Sequence, residues 1–296
     1  INVTGDPRRW ASDTASSGTV HFFPPYLYRT AFHSSTEEEE SQRALEHLEQ
    51  LISFEGPSTI AALILEGVPG TAGIYMPPPG YLQGVRELCT RHGIVFIADE
   101  VMSGFGRTGT WFAVEHFDVV PDLLTFAKGV NSGYVPMGGV AISPEIAATF
   151  GTRVYPGGLT YSGHPLAAAA AVATINAMEN EQIVQHAAAL GETVIGPALR
   201  GFAETHASVG EVRGTGVFWA IELVKDRQTR EPLAPYGASS PEMNQLVAAC
   251  KSRGLLPFAN FNRIHVVPPC NTSVEDTQTG LAILDTVLDI ADGFAT

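Results

Sequence analysis

The sequence predicts an α/β protein: a large domain built on a mostly parallel sheet, followed by a smaller α+β C-terminal domain. Three observations lead there. Apolar runs at 59–65 and 94–98 flank a helical pattern, Tyr81, Leu82, Val85, Leu88 and Cys89, closed by Gly93, which reads as strand, helix, strand. Both runs are continuous rather than alternating, as expected of strands buried on both faces beneath helices. Beyond about residue 181 the pattern turns to helices mixed with short strands, which divides the chain into 1–180 and 181–296.

Taken in order, residues 35–52 form an amphipathic helix with Ala44, Leu45, Leu48, Leu51 and Ile52 on one face. Its first turn carries Glu37, Glu38, Glu39 and Glu40, a position the helix dipole favours for carboxylates, and all four are expected to be solvated and without chemistry. Apolar runs at 123–126 and 138–142 extend the sheet, and 166–178 reads as a long helix. Next come a helix over 186–202, a strand pair around 217–224 and a polar loop at 225–235. Ser240-Pro241 caps a helix bearing Met243, Leu246, Val247 and Cys250 that stops at Gly254. A strand at 264–267 precedes a final helix, with Leu281, Leu284, Leu288 and Ala291, introduced by a capping box from Thr272 to Glu275.

Composition narrows the function. The 296 residues are 45% hydrophobic, enough for a large core. Seventeen Lys+Arg against 31 Asp+Glu give a formal charge of −14, the wrong sign for a nucleic-acid or anionic-membrane binder. Cys89, Cys250 and Cys270 form no C-x-x-C pair and read as reduced cytoplasmic thiols. No apolar stretch approaches the ~20 residues of a membrane span. The opening Ile-Asn-Val-Thr-Gly-Asp is neither a signal peptide nor an initiator Met and reads as the interior of a longer, N-terminally truncated protein.

Two residues carry the chemistry. Of the three lysines, Lys225 and Lys251 read as solvated, whereas Lys128 follows the apolar Leu123-Leu124-Thr125-Phe126-Ala127 and emerges at the end of a buried strand. A desolvated lysine there is a nucleophile able to form Schiff bases. Asp99 ends the strand at 94–98, the edge at which open α/β sheets bind ligands, and is either a ligand contact or a helix cap. A lysine and a carboxylate at equivalent strand ends suit pyridoxal phosphate, whose protonated ring is an electron sink. The glycines Gly104, Gly106 and Gly109 match a dinucleotide fingerprint only formally, because no helical pattern follows them. The histidines show no ligand spacing, and no metal site is expected.

Asp99-Glu-Val-Met-Ser-Gly-Phe-Gly-Arg-Thr-Gly109, then Pro121-Asp122 and Phe126-Ala127-Lys128-Gly129, resemble the signature of the class III, ω-amino-acid-type aminotransferases. Pro78-Pro79-Gly80-Tyr81-Leu82, Thr160-Tyr161-Ser162-Gly163-His164-Pro165 and Pro268-Pro269 extend the resemblance along the chain. It implies the fold type I architecture of pyridoxal-phosphate-dependent transferases and a homodimer or tetramer with shared active sites. It also implies transfer of an amino group from an amine or ω-amino acid, of taurine, β-alanine, 4-aminobutyrate or diamine type, to pyruvate or 2-oxoglutarate. By position, Lys128 resembles the Schiff-base lysine and Asp99 the partner of the pyridine nitrogen. Val101 resembles the residue packed on one ring face, and Thr160 the one that reaches the phosphate of the neighbouring subunit. The family's glycine- and serine-rich phosphate loop and a second ring-covering aromatic lie in a stretch that precedes the equivalent of Ile1. Two other readings stay open: a silent paralogue serving as a dimer partner, and an aminomutase or decarboxylase of the same fold.

Substrate choice is read from departures. Glu66 stands where many members keep a glutamate paired with an arginine three residues before the Pro-Pro; here that place is His265, and Arg263 lies two residues earlier on the same strand face. The expectation is that Glu66 faces His265 and raises its pKa, so that Arg263 or a protonated His265 receives the substrate's carboxylate or sulfonate. Met102, where members often place a glutamine near the cofactor's phenolic oxygen, points toward the taurine, β-alanine or diamine branch.

Overall fold

The computed structural model describes residues 2–11 and 18–296. The chain forms two compact units: Pro24–Pro69 with Pro77–Gln185, here the first unit, and Ile1–Phe23 with Gly70–Met76 and His186–Thr296, the second. This departs from a single cut near residue 180. Segment Gly70–Met76 joins the second unit because Arg213 Nε donates to Gly73 O at 2.8 Å and Asn260 Nδ2 to Thr71 O at 2.9 Å. Near the N-terminus, Trp10 packs against Tyr236 with ring centroids 6.4 Å apart.

In the first unit, helix α1 (Glu37–Glu55) starts at Thr36, whose side chain accepts from Glu39 N. One of its four leading glutamates is not solvated: Glu40 is fully buried and accepts from Tyr26 N at 2.9 Å and Thr30 Oγ1 at 2.5 Å. The sheet runs in the order β1 (Ala62–Leu65), β2 (Val95–Asp99), β3 (Leu123–Phe126), β4 (Gly139–Ile142), with β1 to β3 parallel and β4 antiparallel. Helix α2 (Tyr81–His92) connects β1 to β2 and ends at Gly93 in the left-handed region, φ 67°. Leu63, Phe96 and Ala98 are buried on one face of the sheet. On the other face Ile64, Val140 and Ile142 are exposed, so the strands are not covered on both sides among the described residues. Short α3 (Pro144–Ala148) and the alanine-rich α4 (Pro165–Asn180), with proline in the first turn of each, complete this unit.

The chain changes unit within α5 (Ile183–Leu190), which runs through a π turn, Gly191–Ile195, into α6 (Gly196–Thr205). Gly191 permits a close approach, since a Cβ there would lie 2.0 Å from Gly216 O. The second sheet is antiparallel, in the order β5 (Val209–Thr215), β6 (Phe218–Asp226), β9 (Arg263–Val266), β8 (Phe258–Asn260), with β7 (Glu231–Pro232) on β6. Val209, Trp219, Ile221, Leu223 and Ile264 pack on α6, on α7 (Pro241–Ser252) and on α8 (Val274–Asp292) in one continuous core. Ser240 caps α7, as its Oγ accepts from Met243 N. The cap of α8 is Ser273, one residue beyond the expected Thr272, because Ser273 Oγ accepts from Asp276 N and donates to Asp276 Oδ2.

His206, which ends α6, places both ring nitrogens on carboxylates: Nε2 lies 2.9 Å from Asp285 and Nδ1 2.8 Å from Asp292. Burial opposes the imidazolium charge, yet the hydrogen bonds to Asp285 and Asp292 together outweigh it and raise the pKa. A raised folded-state pKa gives stability that is complete below the ordinary value of 6.5 and fades as pH climbs through the folded value. Urea unfolding at about pH 6 and about pH 9 should therefore differ by on the order of 1 kcal/mol more in the native chain than in His206→Gln.

Candidate active site

The parallel strands of the first unit end side by side, and their carboxyl ends carry the predicted groups. Leu65 is in register with Ala98, so Glu66 and Asp99 follow at neighbouring strand ends. Asp99 is in register with Thr125 of β3, and paired residues of a parallel ladder share a sheet face. Asp99 Oδ1 accepts from Val101 N at 3.0 Å, while its other oxygen has no partner among the described residues. Thr125 Oγ1 is buried without a hydrogen bond.

Lys128 opens a one-turn 3₁₀ helix, Lys128–Asn131, at φ 45°. A non-glycine residue held in the left-handed region is strained by roughly 1–3 kcal/mol, a feature that clusters at functional sites. The lysine is exposed and makes no ion pair or hydrogen bond among the described residues. This corrects the expectation of a desolvated amine: β3 stops at Phe126, and the 3₁₀ turn lifts Lys128 clear of the sheet. The site fits pyridoxal phosphate on its own observations. An unpaired carboxylate oxygen suits a protonated ring nitrogen, an orphaned hydroxyl awaits a partner beside it, and an unpaired amine suits condensation with an aldehyde.

Glu100, which sequence reading passed over, organises the loop behind this edge. Strand alternation sends Asp99 and Glu100 to opposite sides, and Glu100 is fully buried. Its carboxylate accepts from Ser103 Oγ at 2.6 Å, Ala113 N at 3.0 Å and Val114 N at 2.9 Å. Burial pushes its pKa up against those three donors. The legible signal is an acidic doublet at a strand end, where one member must point inward. The loop carries half-buried Val101 and Met102, then Phe105, whose ring packs edge-on to Phe112 and Phe126. A Cβ on Gly129 would sit 2.7 Å from Phe105 Cβ, so the Lys128 turn rests directly on this loop. Thr160 lies exposed in a turn, with no bonded partner among the described residues.

The second unit buries a charged cluster on the sheet face opposite its core. Register aligns Glu211, Glu222 and Arg263 across three strands, and Arg213, Ala220 and His265 in the next row. Arg213 Nη1 and Nη2 lie 2.6 Å from Glu211 and 2.9 Å from Glu222. Gly73 backs the cluster at φ +135°, where a Cβ would meet Arg213 Nη2 at 2.8 Å and Arg263 Cδ at 3.1 Å. The buried Ile74 beside it also takes a positive φ, 55°. His265 is buried, and burial, then Arg263, then Arg213 hold its pKa down to about 3. The expectation of a raised, protonated His265 is thus overturned: the ring is buried, and Arg263 and Arg213 lie near it.

The sequence profile described as aminotransferase class-III matches residues 8–288. An uncharacterised aminotransferase of Bacillus subtilis is 37% identical over 290 residues, covering 93% of this chain and 61% of its own length. The putrescine–pyruvate aminotransferase of Pseudomonas aeruginosa is 40% identical over 254 residues, 85% of this chain and 54% of its own. Among solved structures, a taurine:2-oxoglutarate aminotransferase from Bifidobacterium kashiwanohense, in complex with PLP and glutamate, superposes with a TM-score of 0.95. It is 40% identical and covers 99% of this chain and 66% of its own. The chain belongs to the class III aminotransferases and has the fold type I architecture of pyridoxal-phosphate-dependent transferases. It spans little more than half the length of the two curated relatives. Among the described residues no helix is long and apolar enough to cross a membrane.

Removing the Glu100 carboxylate would leave the Ala113 and Val114 N–H groups buried and unpaired, at about 1–3 kcal/mol each. Glu100→Ala should therefore lower the urea-unfolding free energy by roughly 3–5 kcal/mol, whereas Glu115→Ala, on the exposed side of the same turn, should change it by less than about 1 kcal/mol.

Proposed function

We propose that this protein transfers an amino group from an amine or ω-amino acid to a 2-oxo acid, with pyridoxal phosphate as cofactor. The carrying observation is the pairing of Asp99, with one unbonded carboxylate oxygen, and the unpartnered Lys128 at neighbouring ends of parallel strands. When bound, the cofactor supplies an electron sink for the pair left on the substrate carbon. Asp99, its carboxylate oriented by the Val101 N–H, would hold the ring nitrogen in its protonated form through a charge-assisted hydrogen bond. Lys128 Nζ would hold the cofactor through its aldehyde and, when free, would be the amine placed to move a proton at the substrate carbon. Val101 would pack on one face of the cofactor's ring. Met102, the next residue of the loop, would offer the cofactor's phenolic oxygen no polar tip.

Thr160, exposed in its own chain, donates its hydroxyl to the phosphate bound by a second copy, so the working unit is a homodimer or an assembly of dimers. In the second unit Arg263 receives the distal acid group of an ω-amino donor. Glu66 follows β1 at the strand end next to Asp99, within the first unit. The names of the putrescine- and taurine-using relatives support a donor whose amine sits on an unbranched carbon chain.

Borohydride treatment of the cofactor-loaded enzyme should fix the label on Lys128 alone by peptide mass mapping; label on Lys225 or Lys251 would refute the assignment. Asp99→Ala should keep the label yet lower kcat by on the order of 10²–10³-fold, the loss typical of a removed electrostatic stabiliser. Mixing Lys128→Ala with Thr160→Ala subunits should restore partial activity, because one of the two sites in each mixed dimer then carries both native residues. No restoration would favour sites that do not cross subunits.

A further inference from the structure

Two helices of the second unit end at the same place, and the side chains gathered there are metal-ligand types that amino transfer does not use. His206 follows α6 as its C-cap, and Asp285, Asp289 and Asp292 lie on the last turns of α8. Spacings of four and three residues put the three carboxylates on one helix face. His206 is 5% exposed, and its ring stands edge-on to Phe202 with centroids 5.9 Å apart, so packing fixes the imidazole. Seventy-nine residues separate His206 from Asp285 in the chain, and no spacing in the sequence marks the set.

This placement runs against the electrostatics of helix ends. Both helices bring the negative ends of their dipoles, where cations stabilise and carboxylates do not. Nonetheless α8 has no basic residue in its last turn, and carboxylates four residues apart repel one another. Arg227 is committed to backbone carbonyls around the end of α6: Nε donates to Ala207 O at 3.1 Å, and Nη2 donates to Ala203 O and His206 O. Even as an imidazolium, His206 offsets only one of the three negative charges. A cation from outside the chain supplies what is missing.

The donor atoms already converge as a ligand set around the imidazole. His206 Nδ1 lies 2.8 Å from Asp292 Oδ2 and 3.9 Å from Asp289 Oδ1, and one atom from each of the three residues lies within 4.8 Å of the others. Asp292 is oriented in advance, because Ser208 N and Oγ both donate to its other oxygen, at 2.8 Å and 2.7 Å. On the far side of the ring, Nε2 lies 2.9 Å from Asp285. A carboxylate on the second ring nitrogen is the arrangement that orients a metal-binding histidine and fixes its tautomer.

We propose that His206, Asp289 and Asp292 bind one divalent cation of the zinc class, clamping the end of α8 to the end of α6, with Asp285 as the orienting partner of the ring. One imidazole nitrogen with two carboxylate oxygens suits Zn²⁺, whereas Mg²⁺ and Ca²⁺ favour sets made of oxygen alone. On binding, Nδ1 gives its lone pair to the ion while Nε2 keeps its proton for Asp285, and water completes the coordination. None of the four residues is assigned to amino transfer, so the site stands apart from that reading.

Isothermal titration of the cofactor-loaded enzyme with Zn²⁺ should show a saturable site, and Zn²⁺ at about a hundredfold excess over Kd should raise Tm by about 4–8 °C. Mg²⁺ should give no such rise. Asp285→Asn should weaken Kd by about tenfold to a hundredfold, and Asp289→Asn by at least that. Asp289 is 75% exposed and makes no hydrogen bond among the described residues, so its variant folds as the native chain does and isolates the ligand role. His206→Gln should abolish the site, while Cys270→Ser should bind as the native chain does. Zn²⁺ binding unchanged in both Asp289→Asn and His206→Gln overturns the proposal, as does a Tm rise lost in Cys270→Ser. So does the absence of saturable binding below about 1 mM in the native chain.

Discussion

Burying a full charge requires partners fixed in advance, and that constraint shapes both units. In the first, the Glu100 carboxylate gathers Ser103 and the N–H groups of Ala113 and Val114, so that a turn-rich stretch with little regular structure acquires one conformation. In the second, Arg213 gathers Glu211, Glu222 and the Gly73 carbonyl and so determines which segment covers the sheet. Neither pairing is strong evidence of net stability, since desolvation offsets much of the attraction. Each excludes other arrangements, because any alternative leaves a buried charge alone.

The Asp99–Glu100 doublet divides this labour between adjacent carboxylates. The side-chain period of a strand turns one to the sheet face shared with Thr125 and the other into the protein. Asp99 keeps an oxygen unbonded and Glu100 spends both on the scaffold. The loop so fixed supports Phe105, and the Lys128 turn rests on Phe105 through Gly129. The strained backbone at Lys128 is thereby held by packing that begins at Glu100.

Much of the fold was legible in the sequence because its signals are local. Gly93 after an apolar helix face, Ser240-Pro241 before another, and the unbroken run Leu123-Leu124-Thr125-Phe126 needed no knowledge of distant residues. The places of Asp99 and Lys128 at the ends of neighbouring strands were legible because they follow such runs. Strand β5 was not, because its outward row is Glu211 and Arg213 and its partners lie on other strands, so no apolar alternation marks it. The exposure of Lys128 was missed for a related reason: the run predicts the strand but not the 3₁₀ turn that follows. His265 was misread because charge in sequence says nothing of which charges share a sheet row. Burial lowers its pKa first, then Arg263 and Arg213, and the last is placed by cross-strand register.

The hydrogen bond from Arg213 to Gly73 spans 140 residues of chain. During synthesis, Ile74 and Tyr75, both buried in the finished protein, leave the ribosome long before the strands that cover them exist. At roughly 5–20 residues per second, that interval is about 7–28 s. Over most of those seconds the first unit, which runs on to Gln185, is itself still being made, and the seven-residue detour Gly70–Met76 waits for the strands of its own unit. Backbone that prefers neither strand nor helix, with Gly73 and Ile74 both at positive φ, suits a segment that must wait without pairing to a neighbour.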